Sequence, residues 1–191
     1  MIAKKGGKVV RCPEEEFRPM GRNASGVKGV TLEGEDDYVV SMLAVDNAED
    51  TIMVVSENGY GKRSDLEEYR TTHRGGKGVK TLQITEKTGK LVAVTNVTDA
   101  NDLMIINRSG VTIRMSVADL RVMGRNTQGV KLINLRGKDT IASITKVDAE
   151  PEEAVVEESD NVETPENTDQ PVNPEGTENM DNTESSPINE E

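Results

Sequence analysis

The sequence predicts an all-β protein, a propeller-like array of four-stranded blades built from three repeats of about 51 residues and followed by a disordered acidic tail. Three observations lead there: one segment recurs three times in phase, the segments between recurrences alternate like short strands, and the charge changes abruptly near Ala149.

The recurrence comes first, because a fixed period of 20–50 residues dictates the architecture. "FRPMGRNASGVKGVTL" at Phe17, "YRTTHRGGKGVKTLQI" at Tyr69 and "LRVMGRNTQGVKLINL" at Leu120 are separated by 52 and 51 residues. Arg11, Arg63 and Arg114 correspond, as do Gly7, Gly59 and Gly110, and the runs "VVSMLAV", "LVAVTNV" and "IASITKV" end at Val45, Val97 and Val147. Chance does not hold phase over so long a window.

Within a unit, "TIMVVS" and "LVAVTNV" are short and rich in β-branched residues, and "GVKTLQI" alternates apolar with polar. Gly, Asn and Asp bound them, as they bound strands elsewhere. "ENGYGKR" is the tight turn of a hairpin, with Asn58-Gly59 suited to positive φ. Each repeat then carries about four strands, and only "RSDLEEYR", echoed as "MSVADLR", hints at a helical turn. Four strands per repeat of about fifty residues make a blade, so the blades cover approximately 1–45, 52–97 and 103–147 of a body spanning 1–148. A residue matching Ile52 would precede Met1, and three blades do not easily close a disc. The expectation is a C-terminal part of a longer protein with further blades upstream.

The charge shift sets the second region, 149–191. The chain carries -12 overall, but no Lys or Arg follows Ala149, where 15 acidic residues lie. The body therefore holds all 23 cations against 20 acids, a mild +3. Without Phe, Tyr or Trp, the acidic region cannot bury enough apolar surface to offset ordering entropy, and it is expected to be disordered. Its carboxylates could compete with an anionic ligand for the body, so deletion after Val147 should tighten such binding at low salt. Unchanged affinity would make the tail a plain solubilising segment.

One Cys and one His exclude an internal disulfide and a cysteine-based zinc site, and a reducing cytoplasm fits. The N-terminus lacks the apolar stretch of a signal peptide, no run reaches membrane-spanning length, and Asn23-Ala24-Ser25 is an unused glycosylation match. A phosphate-loop reading of "NGYGKRS" fails, since Ser56 stands where Gly is required and Arg63 where Ser or Thr should follow Lys62. His73 has no catalytic company, Asp36 and Asp37 fall in a polar loop, and Cys12 matches Ser64 and Met115 as a packing residue. No catalytic constellation emerges.

What remains is a repeated cationic set: Arg11, Arg18, Arg22 and Lys28 in the first unit, Arg63, Arg70, Arg74, Lys77 and Lys80 in the second, and Arg114, Arg121, Arg125 and Lys131 in the third. Repetition places equivalents along one rim. The adjoining glycines expose backbone amides that phosphate oxygens accept. Nothing resembles a recognition helix or an aromatic stacking platform, so the set suits duplex DNA held by its backbone and bent around an edge. The alternative for each Arg is architectural, the guanidinium bonding carbonyls between blades.

"GKVVRC", "FRPMGRNASGVKGVTL", "ENGYGKRSDLEEY" and "VMGRNTQGVKLINL" together resemble the last three repeats of the C-terminal β-pinwheel of the DNA gyrase A subunit, to which the corresponding part of topoisomerase IV is closely related. The resemblance covers Met1 to Val147. It implies a disc of about six blades that wraps DNA for a catalytic core performing ATP-driven negative supercoiling. ATP and Mg would belong to the full enzyme, with no cofactor in this fragment. The rest of the gyrase A chain, and the gyrase B chain with it, would be partners beside DNA. The resemblance also implies that the nucleophilic tyrosine lies upstream, leaving Tyr38, Tyr60 and Tyr69 without that role. "HRGGKG", His73 to Gly78, is similar to the family's glycine-rich basic box, displaced to a later blade, where it would add phosphate contacts. The competing reading from another class is a protein-interaction propeller resembling the regulator-of-chromosome-condensation repeats, which should show little duplex affinity.

Overall fold

The computed structural model describes residues 1–149, and the acidic region read as disordered lies, apart from Ala149, outside them. Eleven strands are present among the described residues: β1 (Ile2–Lys4), β2 (Lys8–Val10), β3 (Val39–Met42), β4 (Thr51–Ser56), β5 (Tyr60–Asp65), β6 (Val79–Lys80), β7 (Leu91–Val97), β8 (Asn101–Asn107), β9 (Thr112–Ser116), β10 (Val130–Lys131) and β11 (Ile141–Asp148). All pair antiparallel. Of the two segments that hinted at a helical turn, "RSDLEEYR" holds a single 3-10 turn at Leu66–Glu68 and "MSVADLR" holds none, while a 3-10 turn not read from the sequence lies at Glu14–Glu16.

The sheets run β3-β1-β2-β6, β10-β5-β4-β7 and β11-β8-β9. Each repeat contributes three strands to its own sheet, and in the second and third repeats a further short strand crosses to the preceding sheet. Thus β6 of the second repeat completes the first sheet through Val9↔Val79 and Lys8↔Lys80, and β10 of the third completes the second through Gly61↔Val130 and Tyr60↔Lys131. Four strands per repeat and four per sheet both hold for the second repeat, but they are not the same four. The period cannot distinguish the two arrangements, because exchanging one strand with a neighbour leaves the spacing unchanged.

"TIMVVS" is a strand throughout and "LVAVTNV" likewise, whereas "GVKTLQI" pairs only at Val79–Lys80. Beyond Lys80, Leu82 and Ile84 leave the sheet and pack into the core between the first two sheets. The β4 strand shows why its sequence is unbroken by polar residues: Ile52 and Val54 face the core shared with the first sheet, Met53 and Val55 the core shared with the third. A strand covered on both faces reads as a continuous apolar run. Each of these side chains contributes about 1.5–3 kcal/mol by burial. The core is aliphatic except for Tyr69, which is fully buried and shares a 2.5 Å hydrogen bond between its Oη and Thr81 Oγ1.

Hairpin turns join β1 to β2, β4 to β5 and β8 to β9. Gly59 has φ +77° with its N–H donating to Ser56 O at 3.1 Å, the conformation expected of Asn58-Gly59.

Candidate nucleic-acid interface

The three recurring loops lie side by side because the chain crosses from one sheet to the preceding one at the same point in the second and third repeats. Past Tyr69 it meets β2 at an Arg11↔Thr71 bridge, and past Leu120 it meets β5 at an Arg63↔Val122 bridge. Thr72 N donates to Arg11 O and Met123 N to Arg63 O, both at 2.8 Å. Each loop then turns through glycines and returns as β6 or β10. Neighbouring loops are stitched together: Gly75 N donates to Gly29 O (2.7 Å), Thr31 N to Gly76 O (2.9 Å), and Gln83 N to Thr127 O (3.1 Å). Equivalent positions therefore recur along one row of loops.

Within that row the arginines divide by register. Arg74 donates from Nε to Glu16 O (3.0 Å) and from its terminal nitrogen to Lys28 O (3.1 Å). Arg125, its equivalent, donates to Glu68 O (3.0 Å) and Lys80 O (2.5 Å). Both reach back to matching carbonyls of the previous repeat, which makes them staples between units. The Glu16 carboxylate adds to the first staple, accepting from Arg74 N at 2.7 Å and meeting His73 Nδ1 at 2.8 Å; these bonds hold its pKa below the ordinary value.

Arg11 and Arg63 staple forwards. Arg11 donates to Leu66 O (2.9 Å) and Tyr69 O (3.0 Å), while buried Arg63 donates to Leu120 O (2.5 Å) and pairs with Asp99. Arg114 turns to Asp102 (2.6 Å) and to Asp148 O (3.2 Å) in its own repeat. The guanidinium groups of Arg11, Arg63, Arg74, Arg114 and Arg125 are thus engaged by the protein itself, the first three and Arg125 across the junction between repeats and Arg114 within its own repeat.

Arg18, Arg22, Lys28, Arg70, Lys77, Lys80, Arg121 and Lys131 are exposed, and among the described residues their side chains have no hydrogen-bond or ion-pair partner. Lys28, Lys80 and Lys131 share one register, and the latter two stand on the crossing strands β6 and β10. Arg70, Lys77 and the glycines between them line an open depression of about 470 Å³ together with Thr72, His73, Arg74 and Val79. His73 is 97% exposed there.

Sequence reading missed two lysines that support the row from below. Lys62, buried under the third loop, donates from Nζ to Gly124 O (2.5 Å) and to Arg125 O. Burial, then the charge of Arg125, pushes its pKa down to about 8. Lys4, also buried, donates to Thr31 O (2.8 Å) and pairs with Glu33 (3.0 Å) and Asp37 (3.2 Å). Hydrogen bonds from Lys8 and Lys4 lower the Glu33 carboxyl to about 2. A lysine in a strand flags such a post only where its neighbours on the same face are apolar, as Lys62 beside Ser64 is not.

The profile of the family described as DNA gyrase C-terminal domain, beta-propeller, matches residues 5–46, 50–98 and 101–148. The chain belongs to this family. It is 43% identical over 164 residues to the DNA gyrase A subunit of Staphylococcus aureus (strain NCTC 8325 / PS 47), covering 86% of this chain and 18% of that protein. The chain thus spans under a fifth of the length of that gyrase protein. A solved DNA gyrase A C-terminal domain superposes with a TM-score of 0.69 at 25% identity, over 76% of this chain and 49% of its own. The C-terminal domain of a DNA topoisomerase IV superposes at 0.72 and 23% identity, over 77% and 46% respectively, a likeness of fold. Among the described residues no helix is long and apolar enough to cross a membrane, and no cluster of metal-ligating side chains occurs.

Proposed function

We propose that this gyrase-family domain binds duplex DNA by its phosphates along the row of loops and bends it there. The wrapped segment is presented to the remainder of a gyrase A chain, and to the gyrase B chain, for ATP-dependent supercoiling in the bacterial cytoplasm. The carrying observation is the recurrence of exposed cations, unpaired among the described residues, on loops held in register by the arginine staples. Arg18, Lys28, Arg70, Lys77, Lys80, Arg121 and Lys131 make the contacts, with Arg22 on the outermost loop. The stapled arginines hold the loops and add to the field without touching DNA through their engaged nitrogens. ATP and Mg act elsewhere in the full enzyme.

Two or three neutralised phosphates per repeat give about 6 to 9 in all, and a fall in affinity of roughly 10³–10⁵ between 50 and 200 mM salt. Smooth bending of a 20–30 base-pair site by 40–90° costs about 1–6 kcal/mol, which several charge-assisted contacts of about 1.5–3 kcal/mol each offset. A mobility-shift salt series on several unrelated duplexes tests this. Expected are similar affinities for all sequences and a steep slope of log K against log salt. A shallow slope with weak binding would instead favour a surface for protein partners.

A further inference from the structure

Lys62 stands in β5 with 1% of its surface exposed, and the same position holds Val10 in the first repeat and Ile113 in the third. The fold therefore does not require a cation there. A buried ammonium ordinarily faces a carboxylate, because an unpaired charge is costly to take out of water. The Lys62 Nζ donates instead to two neutral carbonyls, Gly124 O (2.5 Å) and Arg125 O, and among the described residues it forms no ion pair. Its charge is directed at the third loop.

That loop carries fewer cations of its own than the second. Between Arg70 and Lys80 the second loop has Arg70, His73, Arg74, Lys77 and Lys80, whereas between Arg121 and Lys131 the third has Arg121, Arg125 and Lys131. Gln128 stands where the second loop has the exposed Lys77, and Gly124 where it has His73. A Cβ on Gly78 would lie 3.2 Å from Val10 N, and one on the equivalent Gly129 would lie 3.3 Å from Lys62 Cβ, so the two strand positions underlie matching turns. The second loop thus has its cation on the surface and Val10 beneath, and the third has Gln128 on the surface and Lys62 beneath. The bonds from Nζ also fix the backbone between Arg121 and Lys131, the exposed cations of the third loop.

We propose that Lys62 is a positioning residue for DNA: its ammonium holds the Gly124–Arg125 turn in shape for a phosphate and supplies from beneath the charge that the second loop carries on its surface, so duplex affinity depends on its proton. Lys62 does not touch DNA and acts through the loop. The inference rests on the DNA-binding proposal above. A charge behind a loop is screened less than one in salt solution. Burial and then Arg125 push the Lys62 pKa to about 8, and bound phosphate would favour the charged form and raise it again. Arg125 and, with opposite sign, Glu68 are the charges beside it, Val54 opposes it on β4, and Tyr69, next to Glu68, has its phenol pushed up by burial, away from this window. At pH 9 about a tenth of the free protein keeps the Lys62 proton, so affinity should fall roughly five- to tenfold from pH 7. Stability moves the other way. Between about 8 and the ordinary 10.5 the unfolded chain holds more protons at this residue than the folded one, so its contribution to folding rises with pH.

Duplex binding by the full chain at fixed salt, followed by fluorescence anisotropy from pH 7 to pH 9, tests this beside Lys62→Met, which keeps the length of the side chain and loses its charge. The parent should weaken roughly five- to tenfold over that range. Lys62→Met should bind more weakly than the parent at pH 7 and lose most of the pH dependence. Thermal unfolding over the same range separates this role from plain scaffolding, since relative to Lys62→Met the parent should gain stability while it loses affinity. In protein labelled with carbon-13 lysine, the resonance that titrates near pH 8 should move to higher pH when duplex is added. That readout needs no variant, and it decides the matter if Lys62→Met loses its β-sheet circular dichroism. Equal duplex affinity at pH 7 and 9, a variant with the parent's pH profile, affinity and stability that fall together, or a titration that duplex leaves in place would each overturn the role of Lys62 and leave DNA binding standing. Absence of duplex binding at pH 7 would overturn the DNA-binding reading and this inference with it.

Discussion

Arg70 and Arg74 are four residues apart in one loop, and replacing each by Ala should have opposite consequences. Arg74 makes one half-buried bond to Glu16 O and one exposed bond to Lys28 O. A hydrogen bond from a charged group is worth about 1.5–3 kcal/mol, and water replaces most of the exposed one. Arg74→Ala should therefore cost roughly 2–3 kcal/mol, a fall in Tm of about 4–12 °C at the roughly 2–4 °C per kcal/mol expected for a domain of this size. Arg70 has no polar partner among the described residues, so Arg70→Ala should stay within about 0.5 kcal/mol of the parent. It should instead lower the slope of log K against log salt by about 1 and weaken all duplexes alike. Thermal unfolding by circular dichroism and a mobility-shift salt series on the same preparations provide both readouts. Arg125 and Arg121 repeat the experiment one loop on. If Arg74→Ala left Tm unchanged while Arg70→Ala lowered it, the division of the arginines by register would be wrong.

Gly78 and Gly26 test backbone geometry in the same way. Both have positive φ, +82° and +80°, but only Gly78 has a carbonyl against its missing Cβ. Gly78→Ala should cost more than about 2 kcal/mol and Gly26→Ala only the roughly 1–2 kcal/mol of the left-handed conformation, as denaturant midpoints will show. Glu33 has its carboxyl depressed from 4.5 to about 2 by Lys8 and Lys4. Its contribution is fully present above its unfolded pKa and lost as pH falls from 4.5 towards 2, and Glu33→Gln should flatten the stability profile in that window. An unchanged profile would mean that the lysine pairs contribute nothing there.

The repeat, its period and most strands were legible in the sequence, because covered strands need β-branched runs and hairpins need glycine at fixed positions. "TIMVVS" and Gly59 carried that information within a few residues. Equivalence of the cations was legible too, since phase alone establishes it. Which arginine faces solvent was not: Arg70 and Arg74 are the same residue type in the same loop, and only the carbonyls of Glu16 and Lys28, about fifty residues away in sequence, separate them. The exchange of β6 and β10 between sheets was hidden for a related reason, because strand pairing is a long-range choice of partner and the alternation of side chains is local. Sequence by itself thus determined the unit, its count and its charge. Tertiary structure decided where each unit's last strand pairs and which charges stay exposed, because both depend on backbone groups brought together only when one repeat packs against the next.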